Sequence, residues 1–116
     1  TLCTAAGKSL RVLADNKALG ESLSAKLPRK EFIKVPSDGR ELNGWIMRPR
    51  NFDPSRKYPV VMYQYSGPGS QTVLNTWETG WMQYFADHGF IVACVDGRGT
   101  GARGSEFMYS VYKNLG

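Results

Sequence analysis

Two apolar runs set the limits on what this chain can become. "YPVVMYQY" ends at Tyr65 and "FIVACVD" starts at Phe90. Each is rich in β-branched and aromatic residues and reads as a strand. Between them, "NTWETGWMQYFADHG" places Trp77, Trp81 and Phe85 four apart, on one face of a helix. Asn75 and Glu78 have the spacing of a capping box, so the helix is predicted from Asn75. Gly89 then stands where a left-handed closing residue is common. Strand, helix and strand in succession imply two parallel strands joined by a right-handed crossover. The first run is apolar up to Gln64, which predicts a strand covered on both faces.

Upstream, "EFIKVPSDGRELNGWIMRP" reads as a β-hairpin, with Asp38 and Gly39 supplying its turn. "TLCTAAGKSLRVL" reads as two short strands around Ala6, Gly7 and Lys8. "DNKALGESLSAKL" reads as a helix with Leu19, Leu23 and Leu27 on one stripe, Asp15 or Asn16 as its cap and Pro28 helping to end it. Downstream, "SEFMYSVYKNLG" begins another amphipathic helix with Phe107, Met108, Val111 and Tyr112 on its apolar side. The fold class is therefore α/β: an N-terminal hairpin plus β-α-β units in a mixed sheet, which ends early for such a sheet.

At 116 residues the chain has the size of one domain. It has no run of 18 apolar residues, hence no expected membrane span, and no basic patch followed by an apolar stretch as in a signal peptide. The net charge is +5, and Arg29, Lys30, Lys34, Arg40, Arg48, Arg50, Arg56 and Lys57 crowd the middle. These alternate with apolar residues as on the wet face of strands, and few stacking aromatics lie among them. A solvated face is the reading, with a nucleic-acid or acidic partner as the alternative. Cys3 and Cys94 form no C-x-x-C motif; Cys94, inside an apolar run, is expected in the core. No metal or cofactor is expected.

Gly99, Gly101 and Gly104 have the spacing G-x-G-x-x-G of a dinucleotide loop. Asp96, Gly97 and Arg98 intervene between the strand and the first of these glycines, so the turn is too long. A carboxylate would also face the phosphate. A glycine-rich turn packed closely against neighbouring loops is the preferred reading. Gly7, Lys8 and Ser9 lack the upstream glycine of a phosphate loop, since position 2 is Leu.

"KYPVVMYQYSGPGSQ" (Lys57–Gln71) and "VDGRGTGARGSEF" (Val95–Phe107) together resemble the prolyl oligopeptidase family, and within it the dipeptidyl peptidase IV enzymes of bacterial type. The resemblance covers essentially the whole chain. It implies a partial α/β-hydrolase fold truncated before the nucleophile strand. Residues 1–13 correspond to the last strand of a β-propeller, 14–27 to a linker helix, and 28–116 to the N-terminal part of the peptidase domain. The implied activity is release of N-terminal dipeptides with Pro, or less well Ala, in second position.

No G-x-S-x-G nucleophile elbow occurs in these residues. The resemblance places Ser, Asp and His of the triad after position 116 and the acidic amine clamp before position 1, so the chain alone is expected to be inactive. One catalytic feature carries over. Tyr65 matches the family tyrosine whose hydroxyl helps form the oxyanion hole, and Ser66, Gly67, Pro68 and Gly69 shape its loop. Asp96, Gly97, Arg98 and Gly99 are expected to tie loops together. Ser70 has no base beside it, and His88, the sole histidine, ends a helix where a cation suits the dipole. The expected partners are a peptide substrate and the remainder of the chain, with self-association through the edge of the Val60–Tyr65 strand. The family points to an extracytoplasmic site.

Overall fold

The computed structural model describes residues 1–77 and 80–114, apart from the side chains of Ser24 and Ala25. Its elements are β1 (Leu2–Cys3), β2 (Ser9–Arg11), α1 (Lys17–Lys26), β3 (Lys30–Ser37), β4 (Arg40–Met47), β5 (Val60–Met62), α2 (Trp81–Asp87), β6 (Ile91–Asp96) and α3 (Ser105–Tyr109).

β3 and β4 form the expected hairpin, in register from Lys30↔Met47 to Ser37↔Arg40. Asp38 and Gly39 both have positive φ, 47° and 71°. That is the mirror-image turn whose twist matches the strands it joins. β4 pairs antiparallel with β6, and β6 pairs parallel with β5, giving the order β3-β4-β6-β5. The mixed sheet is thus as expected, with β5 at its edge.

The register decides which side chains share the core face. Trp45 lies opposite Cys94, and Met47 opposite Val92. These four are fully buried and pack with Val73 and Ala86, while Val61, Met82 and Phe85 close the cluster. Full burial of residues such as Met47 and Val92 stabilises by about 1.5–3 kcal/mol each. Cys94 is a core residue, as its apolar surroundings in the sequence implied. No helix among the described residues is long and apolar enough to cross a membrane.

Three expectations about elements change. The helix between the strands begins at Trp81, not Asn75. The Gly80 N–H is accepted by Gln83 Oε1 at 2.9 Å, which starts the helix there. Upstream, the Thr72 and Val73 amides are bound by Asp96, and Asn75 and Trp77 lie in an irregular segment. Glu78, the other half of the expected capping box, lies outside the described residues.

β5 is also shorter than its apolar run. It ends at Met62, and Val60 and Met62 are 59% and 55% exposed. Only Val61 turns toward the core cluster, so the strand is covered on one face rather than two. The final helix is a five-residue piece. Phe107 is buried in it, but Tyr112 lies beyond it and is exposed.

Among the described residues β1 and β2 pair with each other and not with the larger sheet, and every residue from 1 to 19 is exposed. Asp15 Oδ1 accepts the Lys17 N–H at 3.1 Å and so opens α1. The radius of gyration, 18.0 Å, reflects this arm; a compact chain of this length would have about 13 Å.

Candidate functional site

Because β5 and β6 run parallel, their carboxyl ends reach the same rim of the sheet. Two loops leave that rim: residues 63–73 after β5 and residues 97–104 after β6. In open α/β sheets this is where ligands bind.

The first loop carries Tyr65. The Tyr63 N–H still reaches the Ala93 carbonyl at 2.8 Å, and the chain then turns sharply at Ser66, φ 51°. The Tyr65 ring folds back over Gly67. A Cβ on Gly67 would come within 2.5 Å of Tyr65 Cε1, so no larger residue fits beneath the ring as it lies. Tyr65 is 74% exposed. Among the described residues its hydroxyl has no hydrogen-bond partner. Beside it, a cleft of about 370 Å³ is lined by Tyr63, Tyr65, Ser70, Gln71, Thr72 and Leu74, among others.

The second loop holds the first by a series of polar contacts. The Asp96 carboxylate, 3% exposed, accepts the Thr72 N–H at 2.9 Å and the Val73 N–H at 2.9 Å. The Gly69 N–H is accepted by the Gly99 carbonyl at 2.9 Å, and the Gly101 N–H by the Ser70 carbonyl at 2.7 Å. Gly97 donates its N–H to Ser66 Oγ at 3.0 Å. Thr100, buried, returns its hydroxyl to the Gly97 carbonyl at 2.9 Å.

These contacts explain Gly101. A Cβ on Gly101 would stand 2.8 Å from the Gly69 carbonyl oxygen. The backbones approach so closely that no side chain fits between them. The amide of Gly101 is spent on the neighbouring loop rather than left free to cradle a phosphate. The helix that follows has five residues, too short for the long helix of a dinucleotide unit.

The remaining candidates fall as follows. Pro68 is exposed at the loop tip. Arg98 reaches across to Asp38 in the hairpin turn, 3.7 Å away, with both side chains well exposed. Ser70 gives its hydroxyl to the Gly67 carbonyl. His88 sits at the carboxyl end of α2, three residues before β6 begins, and thus at the opposite end of the sheet from Tyr65. Its Nδ1 points at the Tyr84 carbonyl at 2.7 Å and its ring stacks on Tyr84 at 4.0 Å. Burial, and then the charge of Asp96, pushes the Cys94 thiol up to about 11, against a smaller lowering by Lys30. Fully buried, it is out of reach of a substrate. Among the described residues no cluster of His, Cys, Asp or Glu is arranged to hold a metal ion.

Sequence reasoning did not find the amides of Thr72 and Val73 as the partners of Asp96, nor Ser66 as the junction of the two loops. Backbone amides carry no signal in a sequence, and a serine in a glycine-rich turn looks like any other turn former.

Residues 77–116 match the Prolyl oligopeptidase family. The structure of Porphyromonas gingivalis dipeptidyl peptidase 4 superposes with a TM-score of 0.84 over 95% of this chain, at 52% identity. This chain belongs to the prolyl oligopeptidase family. Human prolyl endopeptidase FAP is 37% identical over 113 residues, 94% of the chain. Uncomplexed Pyrococcus horikoshii acylaminoacyl peptidase is 25% identical, with a TM-score of 0.69 over 90% of the chain. The mixed sheet of this family member is that of the α/β-hydrolase peptidases it aligns with. The chain spans 15% of the length of the human relative and 16% of each of the two solved structures.

Proposed function

We propose that this prolyl oligopeptidase-family chain serves a dipeptidyl-peptidase-type serine exopeptidase as the segment that presents the oxyanion-hole tyrosine. The observation that carries this reading is the placement of Tyr65. The residue is exposed and its hydroxyl unpaired among the described residues, at the carboxyl-end rim, on a loop tied down through five of its residues.

The chemistry follows from that placement. When a nucleophile attacks a peptide carbonyl, the oxygen gains negative charge. A neutral phenol at pH 7 can donate its O–H to that oxygen. A donor already held in place stabilises the transition state without reorganising, typically by about 2.7–4 kcal/mol. The loop after β5 is where α/β-hydrolases place one oxyanion donor. The residues 1–116 contain no G-x-S-x-G, so the attacking serine comes from elsewhere in the polypeptide and the segment by itself does not hydrolyse peptides. In this reading residues 1–13 close a propeller, 14–27 link it and 28–116 open the peptidase domain. The exposure of residues 1–19 supports a role for that part against another body. Substrates would be peptides with Pro, or less well Ala, in second position.

A basic binding module is less well supported. Lys34, Arg40, Arg48 and Arg50 pair with Glu41, Glu106, Glu31 and Asp87, so much of the positive charge is already answered.

The test is Tyr65→Phe in the active peptidase that carries these residues. We expect kcat to fall about 100- to 1,000-fold with KM nearly unchanged. A wild-type kcat would reject the role.

A further inference from the structure

The Tyr65 ring is mostly exposed, and the contact beneath it is Gly67 of its own loop. The position of its phenol is therefore inherited from the backbone of residues 64–67, and something must hold that backbone. Ser66 does so through one oxygen. Its hydroxyl accepts the Gln64 side-chain amide at 2.8 Å and the Gly97 N–H at 3.0 Å, and donates to the Val95 carbonyl at 3.3 Å. A hydroxyl has one donor and two acceptor positions, and all three are used.

Ser66 also has a left-handed backbone, φ 51°, which is uncommon for a residue with a side chain. Such a conformation persists where the surroundings over-determine it. From the other side, Gly97 gives way. A Cβ there would lie 3.0 Å from Ser66 Oγ and 3.2 Å from Ser66 Cβ.

We propose that Ser66 is a positioning residue that sets the Tyr65 phenol: its hydroxyl bolts the tyrosine-bearing turn to the end of β6. This rests on the oxyanion reading of Tyr65. Ser66 touches no reacting atom and acts through its neighbour. It is distinct from Asp96, which anchors the same loop further on, at Thr72 and Val73.

The experiment is a double-mutant cycle in the active peptidase that carries these residues. Ser66→Ala is expected to lower kcat about 10- to 100-fold, the cost of a displaced catalytic group, with KM changed less than about twofold. In the Tyr65→Phe background the same change should cost nothing further, because the group that Ser66 positions is already gone. Gly97→Ala, which pushes on the hydroxyl without removing it, should show the same pattern and carries the test if Ser66→Ala does not fold. An equal loss in both backgrounds would mean that Ser66 merely supports the fold, and would overturn the proposal. So would a wild-type kcat in Ser66→Ala while Tyr65→Phe is impaired, and in that case the oxyanion reading would survive. A wild-type kcat in Tyr65→Phe overturns both.

Discussion

Asp96 Oδ2 lies 2.9 Å from the backbone nitrogen of Val73, 23 residues earlier in the chain. This buried carboxylate at the end of β6 thereby fixes the far end of the loop that bears Tyr65, and it also receives the Thr72 amide. An amide side chain in its place would turn an N–H toward at least one of these donors. Asp96→Asn is expected to destabilise the chain by about 3 kcal/mol. Denaturant unfolding should show a lower midpoint at an unchanged slope. An unmoved midpoint would show that the carboxylate does not hold the loop.

Two glycines should respond to alanine in opposite directions. A Cβ at Gly101 meets the Gly69 carbonyl oxygen at 2.8 Å, and the backbones must separate. Gly101→Ala should cost about 1–3 kcal/mol. Gly20 lies inside α1 with nothing within 4 Å of the position its Cβ would take. Gly20→Ala should stabilise that helix by about 1 kcal/mol, seen as slower amide exchange across α1. Equal effects at the two sites would contradict the close approach of the loops.

Cys94 makes stability depend on alkaline pH. Its folded-state value is raised to about 11 from an ordinary 9.0, mainly by burial. The folded protein keeps the thiol protonated while the unfolded chain gives up its proton. The contribution of Cys94 is therefore fully present below pH 9 and is lost as pH rises toward about 11. Unfolding measured across that range should show stability falling, and falling less in Cys94→Ala. At mildly alkaline pH an aromatic disulfide reagent should label exposed Cys3 quickly and Cys94 only as the protein opens.

The edge of the sheet should be adhesive. Among the described residues β5 pairs with β6 on one side only, and Val60 and Met62 are more than half exposed. Such an edge recruits another strand. For the chain of 116 residues the available strand is that of a second copy, so its sedimentation should depend on concentration. Met62→Lys should remove that dependence. If the unsubstituted 116-residue chain stays monomeric over the same range, the idea is dismissed.

Much of the scaffold could be read before any coordinates. The Asp38-Gly39 turn, the Gly89 close after α2 and the apolar run of β6 are local signals, and these three features lie where their own residues put them. The candidate site was partly legible too, since Tyr65 and Asp96 stand in quotable motifs. Their partners were not. The hold of Asp96 on Thr72 and Val73 is a contact between distant segments, and the start of α2 at Trp81 is marked by Gln83 rather than by the Asn75 and Glu78 spacing. The half-covered state of β5 depended on its lying at the edge, which no periodicity within "YPVVMYQY" reports.

The sequence alone therefore determined the element types, the mixed α/β class and the family, because these rest on local conformational preference and on residue motifs. Only the tertiary structure decided that Tyr65 stays open at the rim, that Ser66 and Gly97 meet, and that Gly101 is the glycine at which the two loop backbones come together. Those facts depend on how two loops, about thirty residues apart, share backbone donors and acceptors when parallel strands bring them together, and backbone groups are the same at almost every position in a sequence.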